Sequence, residues 1–360
     1  MTLGAFGRSP FEDGQAGQPQ FGAAGNRAVN VLVLGGTVFF GRHLVAALLA
    51  RGHAVTTFNR GTHPVDVALP VTRITGDRTV AADLALIPPD GWDAVVDPSS
   101  DVPDVVAAAA HHLRTAKRYV YISSISVYDL SQSAIAEDAR VLTNVEGDPQ
   151  AMTAEAYGWR KATSESRVAE TFGLRATRLR PGLIVGPYDP TDRFTYWPVR
   201  VAHGGDVLVP GPRERAVQFV DVRDVADFTV RAIETGLAGV YNVTSPRGHL
   251  TMGDLIDVCR DGVESLPVVH WVDGTFLSDH GCAGWIDLPL WLPPHSPYPG
   301  ILDADVSRAV AAGLRFRPLD ETVRETRDWF AGCGRAELTS GLNASREKEL
   351  LDSWNAVISS

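Results

Sequence analysis

The chain has 360 residues, 33 Lys plus Arg against 43 Asp plus Glu, and a formal net charge of −10 at pH 7. At roughly 100–200 residues per domain this length holds one large or two coupled domains, and the acidic balance argues against nucleic acid as a partner, which calls for clustered Lys and Arg. The isolated Cys259, Cys282 and Cys333 argue against a zinc cage or disulfide framework and point to a reducing cytoplasm, and no apolar run is long enough to predict a membrane span.

Residues 1–28 read as a disordered leader, rich in Gly, Gln and Ala; Glu12 and Asp13 and the lack of an apolar core argue against an export signal. Order is predicted from a short β-branched strand at 29–34, then glycines at 35, 36 and 41, then a helix over Leu44, Val45, Ala47, Leu48 and Leu49 that stops at Arg51-Gly52. A strand at 54–58 completes a βαβ unit. Further strands are predicted at 71–74, 93–96, 118–124 and 176–180, with helices over 103–115 and 153–171. Six strand-helix steps in order predict a doubly wound, parallel-sheet α/β fold of the Rossmann type over 29–188, completed by 216–245. Residues 189–215 and 246–335, richer in Pro, Gly and Trp, predict a smaller substrate-binding lobe, with Trp271, Trp285 and Trp291 in its core. Residues 336–360 predict a terminal helix docked through Leu350, Leu351 and Trp354.

The loop Gly35-Gly36-Thr37-Val38-Phe39-Phe40-Gly41 sits between strand and helix, where backbone N–H groups and a helix N-terminus can meet a pyrophosphate. Gly35 permits the sharp turn and Gly41 the close packing of helix on strand. After the second strand, where unphosphorylated nicotinamide cofactors usually meet Asp or Glu, stand Asn59 and Arg60. The missing carboxylate removes repulsion against a 2′-phosphate and Arg60 can pair with it, so the expected cofactor is NADP(H), with NAD the alternative.

Tyr157-Gly-Trp-Arg-Lys161 places a phenol and an ammonium on one helix face. A phenol with a pKa near 10 is a poor acid or base at neutral pH; a neighbouring ammonium favours the phenolate, and the tuned Tyr can then exchange a substrate hydroxyl proton. With eight Tyr and only three Lys (Lys117, Lys161 and Lys348), chance supplies such a pair about 0.07 times. A chain that uses Arg nearly everywhere, Arg160 included, uses Lys here. At the carboxyl edge of the fifth strand, where ligands sit, Ser124 is the first candidate to hold the substrate oxygen and Ser123 the second. Pro98 and Ser99 after the fourth strand and Ser123 after the fifth are candidate cofactor contacts.

These motifs, with Asp77 after the third strand, Val127-Tyr128, Arg180-Pro181-Gly182, Gly186-Pro187 and the segment 219–226, resemble the extended short-chain dehydrogenase/reductase superfamily in its epimerase/dehydratase-like branch. The resemblance runs from about Val31 to Trp329. It implies that Asp77 contacts adenine, that Pro181, Gly182 and Leu183 approach the nicotinamide, and that the protein can form a homodimer through a two-helix face; Arg78 beside Asp77 is a further candidate cofactor contact. The Gly-Gly-Thr-x-Phe-x-Gly form resembles an atypical subgroup that includes plant chloroplast RNA-binding members. Val38 stands where the family usually has Gly and should alter the seat of the pyrophosphate. Ile125 and Ser126 stand where sugar-nucleotide dehydratases carry Asp-Glu, which disfavours dehydration, and Leu183 replaces an Asn, which implies a less polar ligand.

The expected activity is an NADP(H)-dependent oxidoreductase acting on a carbonyl/alcohol pair of a small molecule. The alternatives are a sugar epimerase that retains NAD, and a non-catalytic cofactor-sensing or RNA-associated protein. Asp189, Thr191, Asp192 and Arg193 read either as groups that orient a polar substrate or as a capped surface turn. His203, His270 and His111-His112 lack metal spacing, and no metal is expected.

Overall fold

A computed structural model describes residues 28–63, 69–98 and 102–359. All but Ala28 of the expected leader, and Ser99, lie outside the described residues. In chain order the first half reads β1 (Asn30–Leu34), α1 (Phe39–Ala50), β2 (Ala54–Asn59), β3 (Val71–Thr75), α2 (Ala81–Leu84), β4 (Ala94–Asp97), α3 (Pro103–His112), β5 (Tyr119–Ile122), α4 (Ala154–Phe172) and β6 (Ala176–Pro181). After β7 (Ile184–Val185), α5 (Tyr196–Ala202), β8 (Asp206–Pro210), β9 (Ala216–Val217) and β10 (Val220–Asp221), the chain returns through α6 (Val222–Thr235) to β11 (Gly239–Val243).

Seven parallel strands form one sheet in the order β11-β6-β5-β4-β1-β2-β3. This is the doubly wound α/β fold expected from the sequence. The order reverses between β1 and β4, so a crevice opens at their carboxyl ends. The alternation is less regular than six strand-helix steps. β3 pairs in parallel with β2, with no helix among the described residues of their connection, and α2 has only four residues. Thr72, Arg73 and Thr75 on β3 are exposed, which suits an edge strand.

The pleat of β1 explains the layers. Val31 and Val33 point into a cluster with Leu44 and Leu48 of α1 and Val225 and Phe228 of α6. Leu32 and Leu34 point to the other face, among Val106 and Ala109 of α3 and Val168 and Phe172 of α4. A strand buried on both faces reads as a continuous apolar run, as 31–34 does.

A second core gathers α5, β8, β9, α7 (Met252–Arg260), β12 (Val268–Val272) and α8 (Gly274–Asp279) around Trp197 and Trp291. Trp271 and Trp285 pack at its margin, and Leu350, Leu351 and Trp354 of the last helix (Ala344–Ile358) pack against it. The stretch 246–335 does not pack as one block. Ala309, in the short helix Ser307–Ala311, and Leu314 return to the first core against β11 and α6, because their apolar side chains cover that sheet edge. Among the described residues no helix is long and apolar enough to cross a membrane.

Candidate active site

A cavity of about 510 Å³ opens at the crevice between β1 and β4. It brings together Gly35, Thr37, Val38, Phe39, Phe40 and Gly41 from the first loop, Asn59 and Arg60 after β2, Asp77 and Arg78 after β3, and Pro98 after β4. Gly35 and Gly36 have φ of +132° and +100°, a region that favours glycine. A Cβ on Gly36 would lie 2.8 Å from Thr57 Cγ2, and one on Gly41 would lie 2.8 Å from Gly36 Cα, so α1 sits directly on the loop. Val38 keeps an extended backbone, with φ −116° and ψ 147°, and its side chain faces outward. The position therefore does not need glycine. No side chain caps α1 and no carboxylate lies in its first turn, which leaves N–H groups for an anion. These residues fit a dinucleotide.

Around the cavity the polar groups are sorted by their partners. Asn59 is turned inward: its Nδ2 donates to the Gly35 carbonyl at 3.2 Å and its Oδ1 accepts from Gly61 N at 3.0 Å. Asp77 accepts from Thr79 N and Oγ1 at 2.9 and 2.7 Å, and these bonds hold its carboxyl below the usual range. Arg60 is exposed at the rim. Arg78 grips Asp97 with two bonds of 2.5 and 2.7 Å, and Asp97 also accepts from Tyr119 Oη at 2.8 Å. Burial pushes the Asp97 carboxyl up, but the Arg78 guanidinium outweighs it and holds the group below the usual range. Asp97 carries no motif. Its only signal is a carboxylate ending a wholly apolar strand, which requires a partner.

A second group of candidate residues lies at the ends of β5 and β6 and on α4. Lys161 is buried, with Nζ donating to the Ile122 carbonyl at 3.0 Å and lying 4.8 Å from the Tyr121 ring centre. Tyr157, one turn earlier on α4, is half-buried. Ser124 caps the turn at Ile125–Val127, accepting from Ser126 N at 3.1 Å and donating to Ser126 Oγ at 3.1 Å. A methyl group on Gly158 would collide with the Ser126 carbonyl. This glycine thus lets α4 press its Tyr157–Lys161 face onto the serine turn, a role the sequence reading missed. Arg160 points elsewhere, donating to the Pro149 and Ala151 carbonyls.

Ser123 is buried and its Oγ has no hydrogen-bond partner among the described residues. Gly182 lies against Thr244, whose Oγ1 would sit 2.8 Å from a Cβ there, and Pro181 is paired with Val243. The Leu183 side chain packs into the second core, and its carbonyl accepts from Val220 N at 2.9 Å. His43, unremarked in the sequence, links α1 to this region through Nε2 and the Pro187 carbonyl at 3.0 Å, and burial lowers its pKa. Past Pro187, Asp189 accepts from Thr191 N and Oγ1 at 2.8 Å each. Asp192 is fully buried and bonded by Arg335 and by Thr339 N and Oγ1.

A family model described as NAD dependent epimerase/dehydratase family matches residues 31–104 and 101–244, more than half of the chain. The chain belongs to that family. A curated relative, the chloroplast stem-loop binding protein of 41 kDa b of Arabidopsis thaliana, is 26% identical over 264 residues, 67% of this chain and 65% of that protein, so the match spans just under two thirds of the relative's length. Among solved structures, the fold is similar to that of the Bordetella bronchiseptica enzyme WbmH in complex with NAD+, with a TM-score of 0.64, 21% identity and coverage of 86% of this chain and 100% of that one. It is also similar to UDP-glucose 4-epimerase of Thermotoga maritima with UDP-glucose, with a TM-score of 0.62, 17% identity and coverage of 85% and 100%.

Proposed function

We propose that the protein is an NADP(H)-dependent oxidoreductase that interconverts a carbonyl and an alcohol on a small molecule. The observation that carries this reading is the packing of the Tyr157–Lys161 face of α4 onto the serine turn, with Lys161 Nζ buried against the Ile122 carbonyl. When bound, the nicotinamide supplies a hydride donor or acceptor. Tyr157 holds and moves the substrate hydroxyl proton, Lys161 favours its phenolate, and Ser124 orients the substrate oxygen. Ser123, through its buried and unpartnered hydroxyl, serves as a cofactor contact together with Pro181 and Gly182.

Support for the phosphorylated cofactor comes from Arg60. It is exposed at the rim, with no carboxylate in ion-pair distance among the described residues, while Asn59 is occupied by the loop. The deciding assay is NADPH consumption with a panel of aldehydes and ketones, repeated with Tyr157→Phe. Loss of turnover by about 10²–10⁴-fold is expected, and full turnover by the variant would overturn the assignment.

A second reading, an epimerase that retains NAD, draws on the family description and on the NAD and UDP-sugar named for structurally similar proteins. Release of NAD on denaturing the purified protein, with no exchange against added NADPH, would favour it.

A further inference from the structure

Arg193 lies in the loop between β7 and α5 and differs from the arginines around it. Arg78 holds Asp97, Arg180 holds Glu165 through bonds of 2.8 and 2.6 Å, and Arg335 holds Asp192. Arg215 donates to backbone carbonyls, that of Leu292 at 3.0 Å among them. Arg193 is half-buried, yet among the described residues its only hydrogen bond is from Nε to Thr191 Oγ1 at 3.2 Å. Among the described residues no carboxylate lies within ion-pair distance of it and neither terminal nitrogen has a partner. The Trp285 ring covers it at 5.8 Å. Asp189 and the Tyr157 phenol act on it through space, and burial lowers its pKa.

Asp189 completes the picture. It is 1% exposed, its Oδ1 is held by Thr191, and its Oδ2 reaches no hydrogen-bond donor among the described residues. A guanidinium taken out of water without a paired anion is costly. Here it lies within electrostatic reach of the Tyr157 phenol, and its two terminal nitrogens form the fork that grips a carboxylate or phosphate. Arg335 of the same lobe, by contrast, is paired with Asp192.

We propose that Arg193 receives an anionic group of the substrate, a carboxylate or a phosphate, and so orients the reacting carbon at Tyr157. This rests on the carbonyl/alcohol reading above and narrows its substrates to anionic ones. Asp189, whose carboxyl burial pushes up, stands beyond pairing distance and leaves the fork open. A lysine at 193 would keep the charge and lose the two-point grip.

The test uses the full chain with NADPH and aldehydes in matched pairs: succinic semialdehyde against butyraldehyde, and glyceraldehyde 3-phosphate against glyceraldehyde. The anionic member of at least one pair is expected to be preferred in kcat/KM by about tenfold or more, and the pair that shows it identifies carboxylate or phosphate. Arg193→Gln is expected to remove the preference, mainly through KM, and Arg193→Lys to keep part of it. Equal use of both members by the unmodified protein, or a preference that survives in Arg193→Gln, would overturn the proposal. If no aldehyde is turned over, calorimetric titration of succinate and of inorganic phosphate into the NADPH-mixed protein decides separately. Binding that weakens about tenfold in Arg193→Gln but not in Tyr157→Phe would keep the anion site and reject the redox reading. No binding, or equal binding by the unmodified protein and Arg193→Gln, would reject the anion site.

Discussion

Gly158 lies against the Ser126 carbonyl so closely that even a methyl group would not fit between them. The Tyr157–Lys161 face and the Ser124 turn are held together by this contact, made by a helix residue that lies between Tyr157 and Lys161. Gly158→Ala gains helix propensity, about 0.8–1 kcal/mol, but the clash with backbone should cost about 1–3 kcal/mol and push α4 outward. The expected result is a lower thermal midpoint and turnover reduced at least about tenfold, since misplacement by an ångström costs up to about 10²-fold. A variant with unchanged stability and rate would show that the close approach is dispensable.

Lys161→Arg tests why lysine stands where the chain otherwise uses arginine. Nζ fits as a compact head between the Ile122 carbonyl and the Tyr121 ring, and a planar guanidinium is larger. Turnover is expected to fall by about 10²-fold or more, with the pH optimum little changed, because the guanidinium keeps the positive charge. Steady-state rates from pH 6 to 10 check both.

Arg60→Ala tests cofactor choice. Loss of one exposed charge-assisted contact to a 2′-phosphate should raise KM for NADPH by about tenfold and leave KM for NADH little changed. Equal effects on the two cofactors would assign Arg60 to the shared part of the molecule instead.

Asp97→Asn removes the charge that Arg78 faces in a buried site. Breaking a buried pair from one side typically costs about 3–5 kcal/mol, so urea unfolding should show a large loss. Arg78→Met with Asp97→Leu should recover much of it, because no lone charge then remains buried. The pH dependence follows from the lowered carboxyl: the Asp97 contribution is complete above its unfolded value of about 4 and fades as pH falls through the lower folded value.

His43 gives the opposite end of the acid range. Burial lowers its folded pKa, so the unfolded chain binds its proton first as pH drops below about 6.5. Stability should fall from there toward the lower folded value. His43→Gln should flatten that part of the stability curve, as read by thermal midpoints from pH 7.5 to 5.

The parts legible in the sequence were those with a local signature. The apolar run at 31–34, the glycines at 35, 36 and 41 and the four-residue spacing of Tyr157 and Lys161 each follow from backbone geometry within a few residues. Arg78 and Asp97 are nineteen residues apart and meet only because β3 and β4 end on the same sheet edge. His43 reaches Pro187 across 144 residues. Gly158 read as an ordinary helix residue because the backbone it touches belongs to another segment. Such contacts depend on topology, which local patterning does not encode. Val38 is the reverse case. Its departure from the family pattern looked disruptive, and its extended backbone and outward side chain show how it is accommodated.

The bonds from Arg335 and Thr339 to the buried Asp192 have a consequence for protein engineering. The loop that carries Arg193 is anchored from the far end of the chain, so transplanting residues 188–195 alone into a related scaffold would strand Asp192 in the interior without donors. A chimera that exchanges this loop has to carry residues 335–340 with it, and the two pieces behave as one interchangeable cassette despite the 140 or so residues between them.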